Sequence, residues 1–144
     1  MKIRILKESD IQQASKIVGL NYSKKYEKTS FMEMEAMFKN YVIKPQYLVA
    51  EDKGKTIGLA GYIQSWMDYN VYNVFRVNVS PKYQWKGVGT VLIKKIIDTI
   101  KRKKADMILL TTSKPKFYSE KFGFKTLSKF NGDKYDLMAL KLKK

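Results

Sequence analysis

Between Val77 and Thr90 the chain reads Val-Asn-Val-Ser-Pro-Lys-Tyr-Gln-Trp-Lys-Gly-Val-Gly-Thr, an apolar strand end, a proline stop and a glycine-bearing loop ahead of an amphipathic run. Glycine lets a backbone approach a ligand closely, and the unpaired N–H groups at a helix start carry partial positive charge. The segment is therefore suited to cradle a phosphate on Gln84, Trp85, Lys86, Gly87, Val88, Gly89 and Thr90. The same spacing also fits a plain strand-to-helix turn. It is not a nucleotide-binding Gly-Lys-Ser/Thr loop, and it lacks the three glycines of a dinucleotide fold.

The chemistry elsewhere is bounded by what the chain lacks. It has no Cys and no His, which removes thiol nucleophiles, Cys/His zinc sites and imidazole bases, so a carboxylate, Tyr, Lys or water must move any proton. No metal is implied. The formal charge of +16 comes from 29 basic and 13 acidic residues, a field that attracts anions such as nucleotides, phosphates, RNA or acidic protein. Only Arg4, Arg76 and Arg102 are arginines, and lysine lacks the fork that reads bases and phosphates specifically.

The elements that must position these groups follow from periodicity. Residues 2–6 read as a strand, and Ser9 to Gln12 form a capping box for a helix carrying Ile11, Ala14, Ile17 and Val18. Ser30 with Glu33 repeats the device for a helix with Met34, Met37, Phe38 and Tyr41, ending before Pro45. Residues 46–52 and 56–66 are strands joined at Asp52-Lys53-Gly54, and Val71 to Ser80 is a third, closed by Pro81. A long helix follows the glycines, with Val88, Leu92, Ile96 and Ile100 on one face and Lys101 to Lys104 at its negative end.

Met107 to Leu110 makes the next strand, so this strand-helix-strand unit implies a right-handed crossover and parallel pairing. Pro115 opens a short helix that Gly123 terminates, Phe124 begins another strand, and Asn131-Gly132 turns into a last one with Leu137, Ala139 and Leu142. The whole, 1–144, reads as one α/β domain with a mixed sheet in the order β-α-α-β-β-β-α-β-α-β-β. The amino terminus does not read as a signal peptide and no apolar run spans a bilayer. A cytoplasmic protein with no membrane association is the expectation.

Val77-Asn78-Val79-Ser80-Pro81 followed by Gln84-Trp85-Lys86-Gly87-Val88-Gly89 resembles the central signature of the GNAT superfamily of N-acetyltransferases. Phe117-Tyr118-Ser119-Glu120-Lys121-Phe122-Gly123-Phe124 is similar to a second element of that family, in the right order and at the right distance. The resemblance covers essentially the full chain. It implies acetyl-CoA as co-substrate and direct transfer of its acetyl group to a primary amine within a ternary complex. The CoA pyrophosphate would lie on the N–H groups of Gln84 to Thr90, with Lys82, Lys86 or Lys121 near the ribose phosphate. The backbone of Val77, Asn78 and Val79 would hold the pantetheine like an added strand, and an N–H there would stabilise the oxyanion.

Tyr118 is implied as the general acid for the departing thiolate, with a pKa near its ordinary value of about 10. Glu33, Glu35 and Asp68 are open as bases, although Glu33 is also expected to close its capping box and Asp68 to turn the chain. Thr111-Thr112-Ser113 departs from the family, many of whose members place Asn before the Tyr helix. The rival reading is a basic nucleic-acid-binding domain. It lacks a zinc finger, an RNP1 sequence and an Arg-rich helix, and its ten tyrosines are scattered. A third is a CoA-binding module without turnover. The positive field disfavours polycationic acceptors such as polyamines or aminoglycosides, and the family suggests a homodimer through the late strands.

Overall fold

The structure is a computed structural model describing residues 1–143. One mixed sheet runs β1(Lys2–Ile5), β2(Gln46–Asp52), β3(Lys55–Gln64), β4(Val71–Val79), β5(Met107–Thr112), with β7(Tyr135–Lys141) beside β5 and β6(Lys125–Phe130) at the far edge. α1(Ile11–Asn21) and α2(Lys24–Glu35) cover one face, while α3(Val88–Arg102) and α4(Pro115–Phe122) cover the other. The element order is the one expected. Parallel pairing of β4 with β5 across α3 also matches.

Alternation assigns each strand residue to a layer. On β2, Leu48 and Ala50 join the core under α3, whereas Tyr47 and Val49 join the core under α1 and α2. α3 buries Val88, Leu92, Ile93, Ile96, Ile97 and Ile100, each worth about 1.5 to 3 kcal/mol of gross burial. Gly58 on β3 allows that approach. A Cβ there would lie 3.1 Å from Val88 Cγ1 and 3.2 Å from both Leu92 Cδ1 and the Asn78 carbonyl oxygen.

Both expected capping boxes are displaced. At α1 the reciprocal contact belongs to Lys7 and Asp10: the Lys7 N–H donates to Asp10 Oδ2 at 2.7 Å and the Asp10 N–H to the Lys7 carbonyl at 2.9 Å. Arg4 competes for that carboxylate, donating to its two oxygens at 2.7 and 2.9 Å. The second helix begins six residues earlier than Ser30, capped by Ser23, whose hydroxyl accepts from the Tyr26 N–H at 3.4 Å. Ser30 lies inside that helix and donates to the Glu27 carbonyl. The helix ends at Glu35 and a 3-10 turn carries the chain to Phe38, leaving Tyr41 outside it and exposed.

Candidate active site

β4 and β5 pair only at Val71/Met107, Tyr72/Ile108 and Asn73/Leu109. Beyond Asn73 each strand keeps its other neighbour, β4 pairing with β3 as far as Val79 and β5 with β7 as far as Thr112. A gap therefore opens in the middle of the sheet. The β5-facing edge of β4 from Val74 to Val79 offers unpaired backbone groups there, a template for an extended polar chain.

A bulge shapes this edge. In the β3–β4 ladder Leu59 faces Asn78 and Gly61 faces Phe75, so Ala60 alone opposes Arg76 and Val77. Arg76 takes the left-handed conformation, φ 52°, uncommon for a residue with a side chain and typical of strained functional positions. The extra residue reverses the side-chain phase. Tyr72 and Val74 face the α3–α4 core before it and Val77 and Val79 pack against that core after it, while Phe75 packs on the α1–α2 side.

The bulge thereby sends Asn78 toward α1 and Arg76 toward α2. The Asn21 amide donates to Asn78 Oδ1 and to the Val79 carbonyl, both at 3.0 Å. The Gln84 amide donates to Asn21 Oδ1 and to the same Val79 carbonyl, both at 3.1 Å. Gln84 is thus a brace between loop and strand. Arg76 forms a forked pair with Glu33, Nε to Oε1 at 2.8 Å and Nη2 to Oε2 at 3.1 Å. Glu33 therefore closes no capping box.

Gly87 caps α3 in the left-handed conformation, φ 83° and ψ 6°, with no side chain over the helix start. The first four N–H groups of α3, from Gly87 to Thr90, have no carbonyl one turn back. Gly89 lies beside the strand end, where an added Cβ would make an ordinary van der Waals contact with Val79 Cγ2 at 3.7 Å. These groups fit a diphosphate: orphan N–H donors, an aligned helix dipole and no acidic residue in the first turn. Trp85 is left-handed too, φ 67°, and 95% exposed, with the Lys114 ammonium 5.8 Å from its ring centroid.

Tyr118 is brought into the same apolar cluster as Val77 and Val79. Its ring meets Phe117, Phe122 and Phe124 at centroid distances of 5.1, 6.2 and 5.8 Å. Burial pushes its phenol up to about 12, with a smaller contribution from Tyr22, above the ordinary value the sequence suggested. Its hydroxyl makes no hydrogen bond among the described residues, yet it is not sealed from solvent as the Tyr47 hydroxyl is.

The remaining sequence candidates disperse. Lys82 is exposed, the Lys86 ammonium lies 5.6 Å over the Tyr83 ring, and Lys121 lines a groove of about 410 Å³ between α3 and α4 with Thr90, Lys94 and Lys101. Glu35 is exposed at the end of α2, and Asp68 accepts from the Asn70 N–H at 2.9 Å, turning the chain as expected. Thr112 Oγ1 accepts from the Lys114 N–H at 2.9 Å. Asn21, Gly58 and the Arg76 bulge are residues the sequence reading missed. The bulge alone had a signal, the spacing of three between Val74 and Val77 within a strand.

The sequence profile of the Acetyltransferase (GNAT) family matches residues 13–124. The chain belongs to that family. A search of curated proteins finds no match. Among solved structures, a GNAT-family protein from Desulfovibrio desulfuricans superimposes with a TM-score of 0.86 at 12% identity, covering 99% of both chains. Aminoglycoside 6′-acetyltransferase type Ii gives 0.82 at 20% identity over 100% of this chain and 99% of its own. The PaiA N-acetyltransferase from Thermoplasma acidophilum, solved with coenzyme A, gives 0.69 at 21% identity over 98% and 99%. At these identities the likeness is one of fold.

Proposed function

We propose that this single domain is an acetyl-CoA-dependent N-acetyltransferase whose acceptor is a primary amine. The observation that carries the reading is the gap after Asn73/Leu109, whose unpaired β4 edge runs toward the side-chain-free start of α3 and shares an apolar cluster with Tyr118. Acetyl-CoA supplies an activated acyl group as a thioester.

Gly87 to Thr90 would hold the diphosphate through orphan N–H groups, and the β4 edge from Val77 to Val79 would hold the amide-rich arm in strand-like hydrogen bonds. An N–H of this edge beside the bulge would accept the negative charge that gathers on the carbonyl oxygen as the amine attacks. The new C–N bond forms as the C–S bond breaks, and the amine's proton leaves to solvent. Tyr118, held at about 12, keeps its proton more firmly than a free thiol of pKa about 8.5, which favours a shared proton with the departing sulfur over complete transfer.

Glu33 is poorly placed as a free base because both its oxygens are occupied by Arg76. Water is the better candidate. The reading is tested by titration calorimetry with acetyl-CoA and CoA at low and moderate salt. Saturable one-site binding that survives moderate salt is expected; binding of RNA with steep salt dependence, and none of CoA, would support a nucleic-acid-binding domain instead.

A further inference from the structure

On the α1–α2 side of the gap the walls are tyrosine and arginine. Tyr22 follows α1 and Tyr26 lies in the first turn of α2, their rings 5.9 Å apart and tilted by 59°. They are 65% and 45% exposed, an aromatic shelf open to solvent. The Arg76 guanidinium sits 5.9 Å from the Tyr26 ring centroid at one end. Tyr22 follows directly on Asn21, whose amide reaches Asn78 and the Val79 carbonyl, so the shelf lies alongside the bulged edge of β4.

The charge on this shelf is already balanced. Arg76 spends Nε and Nη2 on Glu33, which offsets the carboxylate's charge, and its Nη1 has no protein acceptor among the described residues. An acceptor arriving here meets a free guanidinium N–H pair and flat apolar rings, but at Glu33 no spare carboxylate. Additional positive charge on its body is left uncompensated within a field of +16.

Resting on the acetyltransferase reading above, we propose that the acceptor is an α-amino group adjacent to a carbonyl or carboxylate and bearing an aromatic side chain: an aromatic amino acid, or the first residue of a peptide that begins with one. The ring lies on Tyr22 and Tyr26, the adjacent oxygen accepts from Arg76 Nη1, and the amine is directed across the bulge toward the Val77 edge.

The test follows release of the CoA thiol, which a cysteine-free chain does not obscure, with L-phenylalaninamide, 2-phenylethylamine, L-alaninamide and spermidine as acceptors. Phenylalaninamide is expected to exceed the amine lacking the carbonyl and the one lacking the ring by about tenfold each in kcat/KM. Phenylalanine and Phe-Gly-Gly, run beside it, distinguish a free amino acid from a peptide terminus. Arg76→Gly suits the left-handed backbone and is expected to fold. It should erase the preference for the carbonyl and raise spermidine turnover, because Glu33 is then unpaired.

Equal or better turnover of 2-phenylethylamine or spermidine by the unaltered protein would overturn the proposal, as would an Arg76→Gly variant with unchanged preferences. If CoA binds but no amine is turned over, phenylalaninamide is titrated onto the CoA-saturated protein, and absence of saturable binding overturns it. Loss of CoA binding itself strikes the underlying reading, and this one with it.

Discussion

The side-chain amide of Gln84 donates to the Val79 carbonyl at 3.1 Å, tying the loop ahead of α3 to the end of the strand before it. With Asn21 donating to the same oxygen, the three residues fix the mouth of the gap from two elements remote in sequence.

Loss of that brace should be felt in binding rather than folding. Gln84→Ala is expected to weaken CoA about tenfold, a charge-neutral hydrogen bond's worth, while the thermal midpoint moves little. Calorimetry and circular dichroism check the two halves.

Gly58 is predicted to matter more than its place in a strand suggests. Gly58→Ala puts a Cβ within 3.1 to 3.2 Å of Val88, Leu92 and the Asn78 carbonyl, and the backbone oxygen cannot yield easily. A loss of about 1 to 3 kcal/mol of stability in urea denaturation is expected, with a weaker CoA affinity because the start of α3 moves.

Tyr118→Phe should lower kcat about 100-fold or more and leave acetyl-CoA affinity nearly unchanged, since the hydroxyl makes no hydrogen bond within the protein to lose. A phenol held at about 12 is protonated throughout the physiological range. The pH–rate profile of the unaltered enzyme should therefore show no alkaline fall below about pH 10; a descending limb there would assign the acid to another group.

Acid stability should centre on Asp10. Arg4, by hydrogen bonds to both its oxygens, holds the Asp10 carboxyl below its ordinary range against the opposing effect of burial. A depressed folded-state pKa contributes stability above the unfolded value, about 3.9, that is lost as pH falls through the folded one. Asp10→Asn should cost about 2 kcal/mol at pH 7 and much less near pH 2, flattening the acid limb of the denaturation midpoint against pH.

Trp85 offers a direct optical report. In a Trp66→Phe background its emission should change as CoA displaces Lys114 from the ring, an exposed contact worth about 0.5 to 1 kcal/mol. An unchanged spectrum at saturating CoA, with binding confirmed by calorimetry, would place the nucleotide away from this ring.

Much of this architecture is legible in the sequence because its cues are local. The period of Val88, Leu92, Ile96 and Ile100 sets α3, Pro81 ends β4, Gly123 takes the left-handed conformation at φ 82°, and the Val77–Gly89 and Phe117–Phe124 segments announce the family. Helix starts misled because a capping box is a short pattern that recurs by chance. Ser30 and Glu33 have the spacing, but Arg76, 43 positions on from Glu33, claims the carboxylate with a forked, charge-assisted contact.

By itself, then, the sequence determined the order of elements, the family and the loop able to meet a phosphate, since each depends on contacts between near neighbours in the chain. Only the tertiary structure decided where β4 and β5 part, that the bulge turns the Arg76 and Asn78 side chains to the α1–α2 face while Val77 and Val79 meet the α3–α4 core, and that Asn21 braces Val79. Those features arise from pairing between distant segments, where a single inserted residue changes every side-chain direction after it.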